Sequence, residues 1–230
     1  MKLGESVAPI AEPIESPHGC YWKWASDGGA QLWLLADEES LIGMTPFFSG
    51  EGRVRARLTA RVTREDDTPL EGAFHGWAEP ETDIEDSGAY PFVFDVVDAD
   101  NHGDLTLPAT VEAQIAAFAH DASVYPSVAA YEASQSGEPK FASKSFIPAG
   151  LFSPGGEKVD TPASVAIFTG HVLAAETKTN ELTNATYYWA LVETYGGSFD
   201  VVIDPELSDV APVVGGVITG TFWLCGRLVE

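Results

Sequence analysis

The sequence predicts a mainly β protein. It is a β-rich α+β chain in which an N-terminal antiparallel sheet region with one or two helices precedes a small C-terminal barrel. Three observations carry this. Residues 53–64 show a period-2 alternation in which an arginine-rich polar row faces one side and apolar or small side chains the other. Several other short runs rich in Val, Phe, Tyr and Trp are bounded by Gly, Pro, Asn and Asp, the punctuation of strands. The last seventy residues are β in character throughout. A length of 230 residues fits one large β domain or two small ones.

The elements follow in order. Residues 1–19 carry Pro9, Pro13 and Pro17 and read as an extended arm with a loose end. Tyr21 to Ala25 and Gln31 to Ala36 read as a hairpin across Asp27-Gly28-Gly29, where glycine tolerates a positive φ. In 53–64, Val54, Ala56, Leu58, Ala60 and Val62 fall on one face of a strand. Arg53, Arg55, Arg57, Thr59 and Arg61 fall on the other. Leu70 to Ala78 is its expected hairpin partner, and Tyr90 to Val97 a mostly buried strand. Val111, Ile115, Phe118 and Ala122 recur at helical spacing behind a capping Thr110, which predicts a helix near 110–122. Pro126 interrupts it and a short helical turn follows from Ser127 through Ala133. The stretch from Ser134 to Pro162 is rich in Ser, Gly and Pro and turns at Pro154-Gly155-Gly156, which places a boundary near 158. The expected organisation is an arm over 1–19, a β-rich domain over 20–158 and a barrel domain over 159–230.

Four features lie in 164–229: a long first strand bent at Gly170, a polar loop and two further strands, a short crossing from Pro205 to Pro212, and Gly215-Gly216 leading into Val217 to Val229. Together they resemble the OB-fold, a small Greek-key barrel, and the resemblance stops at the fold. It implies a fifth strand. Either Val217–Val229 bends at Gly226 to supply it, or a strand from the first domain closes the barrel. Phe94-Asp95-Val96-Val97 recurs as Phe199-Asp200-Val201-Val202. Two copies of a barrel-like unit would account for the match, although four residues recur easily by chance in a Val-rich chain.

Twelve Lys and Arg against 35 Asp and Glu give a formal charge of −23. That field repels polyanions over most of the surface, so neither nucleic acid nor an anionic membrane is an expected partner. The acids are densest over 79–104, which holds nine acids and no Lys or Arg. Cys20 and Cys225 lie far apart, with no C-x-x-C spacing. With no signal-like segment read at the N-terminus, a reducing cytoplasm is the expected location.

Three constellations could carry chemistry. Arg53, Arg55, Arg57 and Arg61 would form a guanidinium strip suited to carboxylate or phosphate. The competing reading pairs them with Glu71 and Glu79 across the sheet. Asp98, Asp100 and Asp104 open like a calcium loop, but His102 and Ala109 stand where oxygen ligands belong, so an Asx-rich turn is the favoured reading. Tyr187, Trp189 and Trp223 could stack a ligand on the barrel or fill its core. No hydrolase, zinc or phosphate-loop motif is present, and no cofactor is called for. The favoured function is a non-catalytic acidic protein that masks a basic protein partner, as an antagonist or immunity protein would. The alternative is binding or hydrolysis of a small anionic ligand on the arginine strip. A homo-oligomeric structural subunit is a third reading.

Overall fold

The arginine-rich segment is a strand, and the strands around it close two rings. In this computed structural model residues 2–81, 84, 87–137, 140–153 and 159–229 are described. The turn at Pro154-Gly155-Gly156, the boundary near 158 and the acids Asp83, Glu85 and Asp86 lie outside them. The fold is mainly β, as the patterning predicts.

The first unit is an antiparallel meander of β1 (Glu12–Ser16), β2 (Gly19–Ala25), β3 (Ala30–Ala36) and β4 (Leu41–Phe48), hydrogen-bonded in that order. The expected β2–β3 hairpin is present, with Gly29 at φ 94° in its turn. The arm expected over 1–19 is instead ordered chain. It holds a helix, α1 (Lys2–Val7), a 3-10 turn (Ala8–Ile10) and β1. Val7 is fully buried against Trp24, Leu32 and Leu34, so the segment has an apolar anchor that its prolines conceal. Pro13 fits because β1 is an edge strand, where a missing N–H breaks no ladder.

The second unit is a nine-stranded sheet. It comprises β5 (Val54–Val62), β6 (Ala73–Ala78), β7 (Tyr90–Val96), β8 (Ala109–Tyr125), β9 (Ser145–Ile147), β10 (Val165–Thr179), β11 (Thr186–Thr194), β12 (Gly197–Ile203) and β13 (Val217–Val229). A short helix, α2 (Val128–Ser134), follows β8 and is capped by Ser127, whose hydroxyl accepts from the Ala130 N–H.

The helix expected near 110–122 is the strand β8, the longest in the chain. It pairs with β13 along one edge, and with β5 and then β12 along the other. Ala113, Ile115 and Ala117 join the ring core, while Gln114 and Ala116 lie under the N-terminal sheet. Residues 113–117 are therefore all buried. A strand covered on both faces loses its period-2 alternation, and its run of alanines then fits a helical period by default.

Two closed rings share β8 and β13. One runs β5-β6-β7-β13-β8 and back to β5; the other runs β10-β11-β12-β8-β13 and back to β10. Each is a meander of three strands plus a long fourth strand, closed by the long strand of the other set. Both closures are parallel, β7 with β13 and β12 with β8, whereas β8 and β13 run antiparallel with Ala116 opposite Cys225. Asp95 pairs with Cys225 and Asp200 with Ala116. The two Phe-Asp-Val-Val segments thus occupy the same station in the two sets, and the repeated residues mark a pseudo-two-fold arrangement.

Stacked aromatics fill the rings, with Phe168 4.1 Å from Phe222 and 5.3 Å from Phe199 between ring centroids. The N-terminal sheet covers the junction. Its Tyr21, Trp33, Leu35, Phe47 and Phe48 pack on Ala116, Cys225, Phe118 and Trp223. This places β4, the loop after it and the Asp98–Asp104 loop around one edge of the molecule.

Candidate functional site

Alternation on β5 holds as far as Leu58. Val54, Ala56 and Leu58 are fully buried, Arg55 is exposed and Arg57 half-buried. A bulge at Thr59 then shifts the register, leaving Ala60 and Arg61 both exposed. The four arginines divide into two pairs. Arg53 donates through Nη1 to the carbonyls of Gly50 and Gly52 (3.3 and 2.7 Å), and its Nε lies 3.4 Å from Glu112. Arg61 donates through Nη2 to the carbonyls of His102, Gly103 and Leu105 at 2.6–3.0 Å, with its guanidinium over Phe74. Among the described residues the side chains of Arg55 and Arg57 make no ion pair or hydrogen bond. The acid that meets the row is Glu112 on β8; among the described contacts neither Glu71 nor Glu79 pairs with it.

The Asp98–Asp104 loop is a structural clamp. Asp98 accepts from Arg227 Nε and Nη2 at 3.2 and 3.1 Å, and His102 Nε2 lies 3.2 Å from it. Asp100 holds the β1–β2 hairpin. It accepts from the Ser16 hydroxyl and the His18 backbone N–H, and His18 Nδ1 lies 2.7 Å away. Burial opposes ionisation at both carboxyls, but at Asp98 the contacts to His102 and Arg227, and at Asp100 those to Ser16 and His18, leave them below the usual carboxylate range. Asp104 is exposed and takes no part. Among the described residues no group of three or more His, Cys, Asp or Glu is placed to hold a metal ion.

The barrel aromatics sit on the outer surface beneath the N-terminal sheet. Trp189 donates through Nε1 to Asp200 (3.0 Å) and stacks on Phe48; Trp223 donates to Asp95 (2.6 Å) and lies against Phe118. Tyr187 borders a cleft of about 310 Å³ between the sheet and the second ring, with Gln31, Phe48, Asn180 and Val202 on its walls. The Tyr187 hydroxyl is buried and has no hydrogen-bond partner among the described residues.

Two further features are not legible in the sequence. The first is an acidic bay. The turns β1–β2 and β3–β4 lie side by side and enclose a concavity of about 630 Å³ with Glu15, Asp37, Glu38, Glu39 and His18 on its walls. None of these four carboxylates meets a Lys or Arg among the described residues. Asp37 accepts the backbone N–H groups of Glu39 and Ser40, which hold its carboxyl below its usual value. The second is the buried cradle of Asp200. Burial pushes that carboxyl up, against N–H donors from Gly52, Trp189, Gln114 and Glu51 that pull it down. Only the Phe-Asp-Val-Val repeat signalled that Asp95 and Asp200 share a role.

No helix of the described chain is long and apolar enough to cross a membrane, a statement that leaves β-barrel crossing aside. No family model matches the chain, and neither a curated protein nor a solved structure matches it.

Proposed function

We propose that this chain is a non-catalytic binding protein whose acidic surface captures a basic protein partner and masks it. The observation that carries this reading is the bay between the β1–β2 and β3–β4 turns, where Glu15, Asp37, Glu38 and Glu39 border one concavity that no described Lys or Arg lines. Carboxylates left unpaired in a net −23 chain cost repulsion, and an incoming Lys- or Arg-bearing loop relieves it while being steered by the long-range field. The ring of β10, β11, β12, β8 and β13 supports reading that half as OB-like: five strands, a bulged first strand, a three-stranded meander and a parallel closing strand. A cytoplasmic location is kept, supported by Cys20 and Cys225 being free thiols.

The test is association with a folded basic nuclease, measured at low and high salt. Reversing the bay with Glu38→Lys and Glu39→Lys should slow association roughly tenfold at low salt. Reversing Glu206 and Asp209, which lie elsewhere, should slow it far less. Association that ignores ionic strength, or equal effects of the two reversals, overturns the reading.

A further inference from the structure

The β4–β5 connection, the Asp98–Asp104 loop and the end of β13 enclose a groove of about 660 Å³ whose walls include Ser49, Arg53, Asn101, His102, Gln114 and Arg227. Only 12 Lys and Arg serve the whole chain. Two arginines and a histidine nevertheless converge here from three different elements.

Each is fixed from behind. Arg227 lies directly opposite Gln114 on the β8–β13 ladder. Its Nε and Nη2 are held by Asp98, which is 7% exposed, and its guanidinium lies 5.1 Å from the centre of the Trp33 ring. The same carboxylate holds His102 Nε2. Arg53 is anchored through Nη1 on two loop carbonyls. Gln114 is locked by the Phe48 carbonyl and Asp200. After these contacts Arg53 Nη2, Arg227 Nη1 and His102 Nδ1 have no partner among the described residues.

We propose that this groove is a binding site for a small phosphorylated metabolite. Inside the groove Asp98 offsets Arg227, and Arg53 is offset only by Glu112 at the rim. Glu112, which pairs with Arg53 at the rim, is 55% exposed by side chain and is screened by solvent. The free Arg53 Nη2 and Arg227 Nη1 come from two separate elements and suit a tetrahedral oxyanion approached from two sides, whereas a planar carboxylate is satisfied by one guanidinium fork. His102 Nδ1, whose ring gives Nε2–H to Asp98, is an acceptor for a ligand hydroxyl. The groove has room for more than the phosphoryl group itself. A phosphate polymer is disfavoured because the surrounding acids repel every further phosphate. The groove shares no lining residue with the acidic bay, and neither proposal depends on the other.

The experiment is isothermal titration of the full chain with inorganic phosphate and with ribose 5-phosphate, with acetate at matched ionic strength as the comparison. Ribose 5-phosphate should bind, inorganic phosphate more weakly, and acetate not measurably. Arg53→Ala should weaken ribose 5-phosphate binding about tenfold or more, the loss of a charge-assisted bond. Arg227→Lys keeps the charge that Asp98 needs but removes the fork, and should weaken it similarly while the fold, checked by circular dichroism, is retained. Arg55→Ala with Arg57→Ala should leave binding intact. The proposal is overturned if neither phosphate compound binds, if acetate binds as well as they do, or if the Arg55 and Arg57 substitutions abolish binding while Arg53→Ala does not.

Discussion

Asp200 shows how much one side chain can organise here. It is 0% exposed and accepts four N–H groups: the Glu51 and Gly52 backbones at 3.0 and 2.9 Å, Gln114 Nε2 at 2.7 Å and Trp189 Nε1 at 3.0 Å. These donors come from the β4–β5 connection, β8 and β11, so the carboxylate ties three elements to β12. No cation is among them, and the cost of burying the charge falls on the hydrogen bonds alone. Asp200→Asn supplies one acceptor oxygen where two are used and turns an NH₂ toward donors. Urea unfolding should show a loss of about 1–3 kcal/mol. Its pseudo-equivalent Asp95 is half-buried, accepts from Trp223 and Ser164 and pairs with Arg64 at 2.8 Å. Asp95→Asn leaves more of its surroundings solvated and should cost less. An equal or larger loss at Asp95 would mean that burial is not what sets the cost at Asp200.

Among the elements, the join between the β1–β2 hairpin and the rings is the part most sensitive to acid. Asp100 bonds Ser16 and His18, and the Tyr21 hydroxyl receives the Asp100 N–H at 3.0 Å and donates to the Leu70 carbonyl at 2.6 Å. The carboxyls of Asp98 and Asp100 lie below their usual 3.8. A depressed carboxyl contributes stability that is fully present above its unfolded value and is lost as pH falls through its folded one. Amide exchange across β1 and β2 should therefore accelerate below about pH 4 before exchange in β8 or β13 does. Asp100→Asn should already show fast exchange at neutral pH with little further change in acid. Simultaneous opening of all strands in acid would place the weakness elsewhere. A second expectation concerns β13. A Cβ on Gly226 would stand 2.7 Å from Phe94 Cδ2, so Gly226→Ala should overpack the first ring and cost about 1–3 kcal/mol in thermal or urea unfolding.

The same elements show what the sequence could reveal. β5 was legible because only one of its faces is buried, so Val54, Ala56 and Leu58 alternate with arginines. β8 was not, because Gln114 and Ala116 are as covered as Ile115. Pro13 and the prolines around it read as an extended arm with a loose end, although Val7 and the β1 ladder tie that segment down. The arginine positions could be read, but their partners could not. The carbonyls that take Arg61 come from 102–105, the acid that takes Arg227 from the other half of the chain, and the bay from two turns that only the sheet brings together.

At the scale of the whole molecule, the shared strands make the two halves interdependent. The C-terminal set of β10 to β13 closes only through β8, and the set of β5 to β8 closes only through β13. Separating the chain near 158 would therefore not release a finished barrel. A 159–230 piece would expose one edge of β12 and one of β13, and a 1–158 piece the corresponding edges of β7 and β8, each a row of unpaired N–H and C=O groups. It would also uncover Ala117 and Leu224, which are fully buried where the rings meet. Neither piece should show a cooperative unfolding transition alone. Mixed at equal concentration they should recover the far-ultraviolet circular dichroism of the intact chain, because each supplies the other's missing strand. The intact chain should unfold in a single step, since opening either ring removes a wall of the other. A 159–230 piece that folds cooperatively by itself would show that Val217–Val229 can bend at Gly226 to close its own ring, and the mutual dependence argued from the β8–β13 pairing would then be wrong.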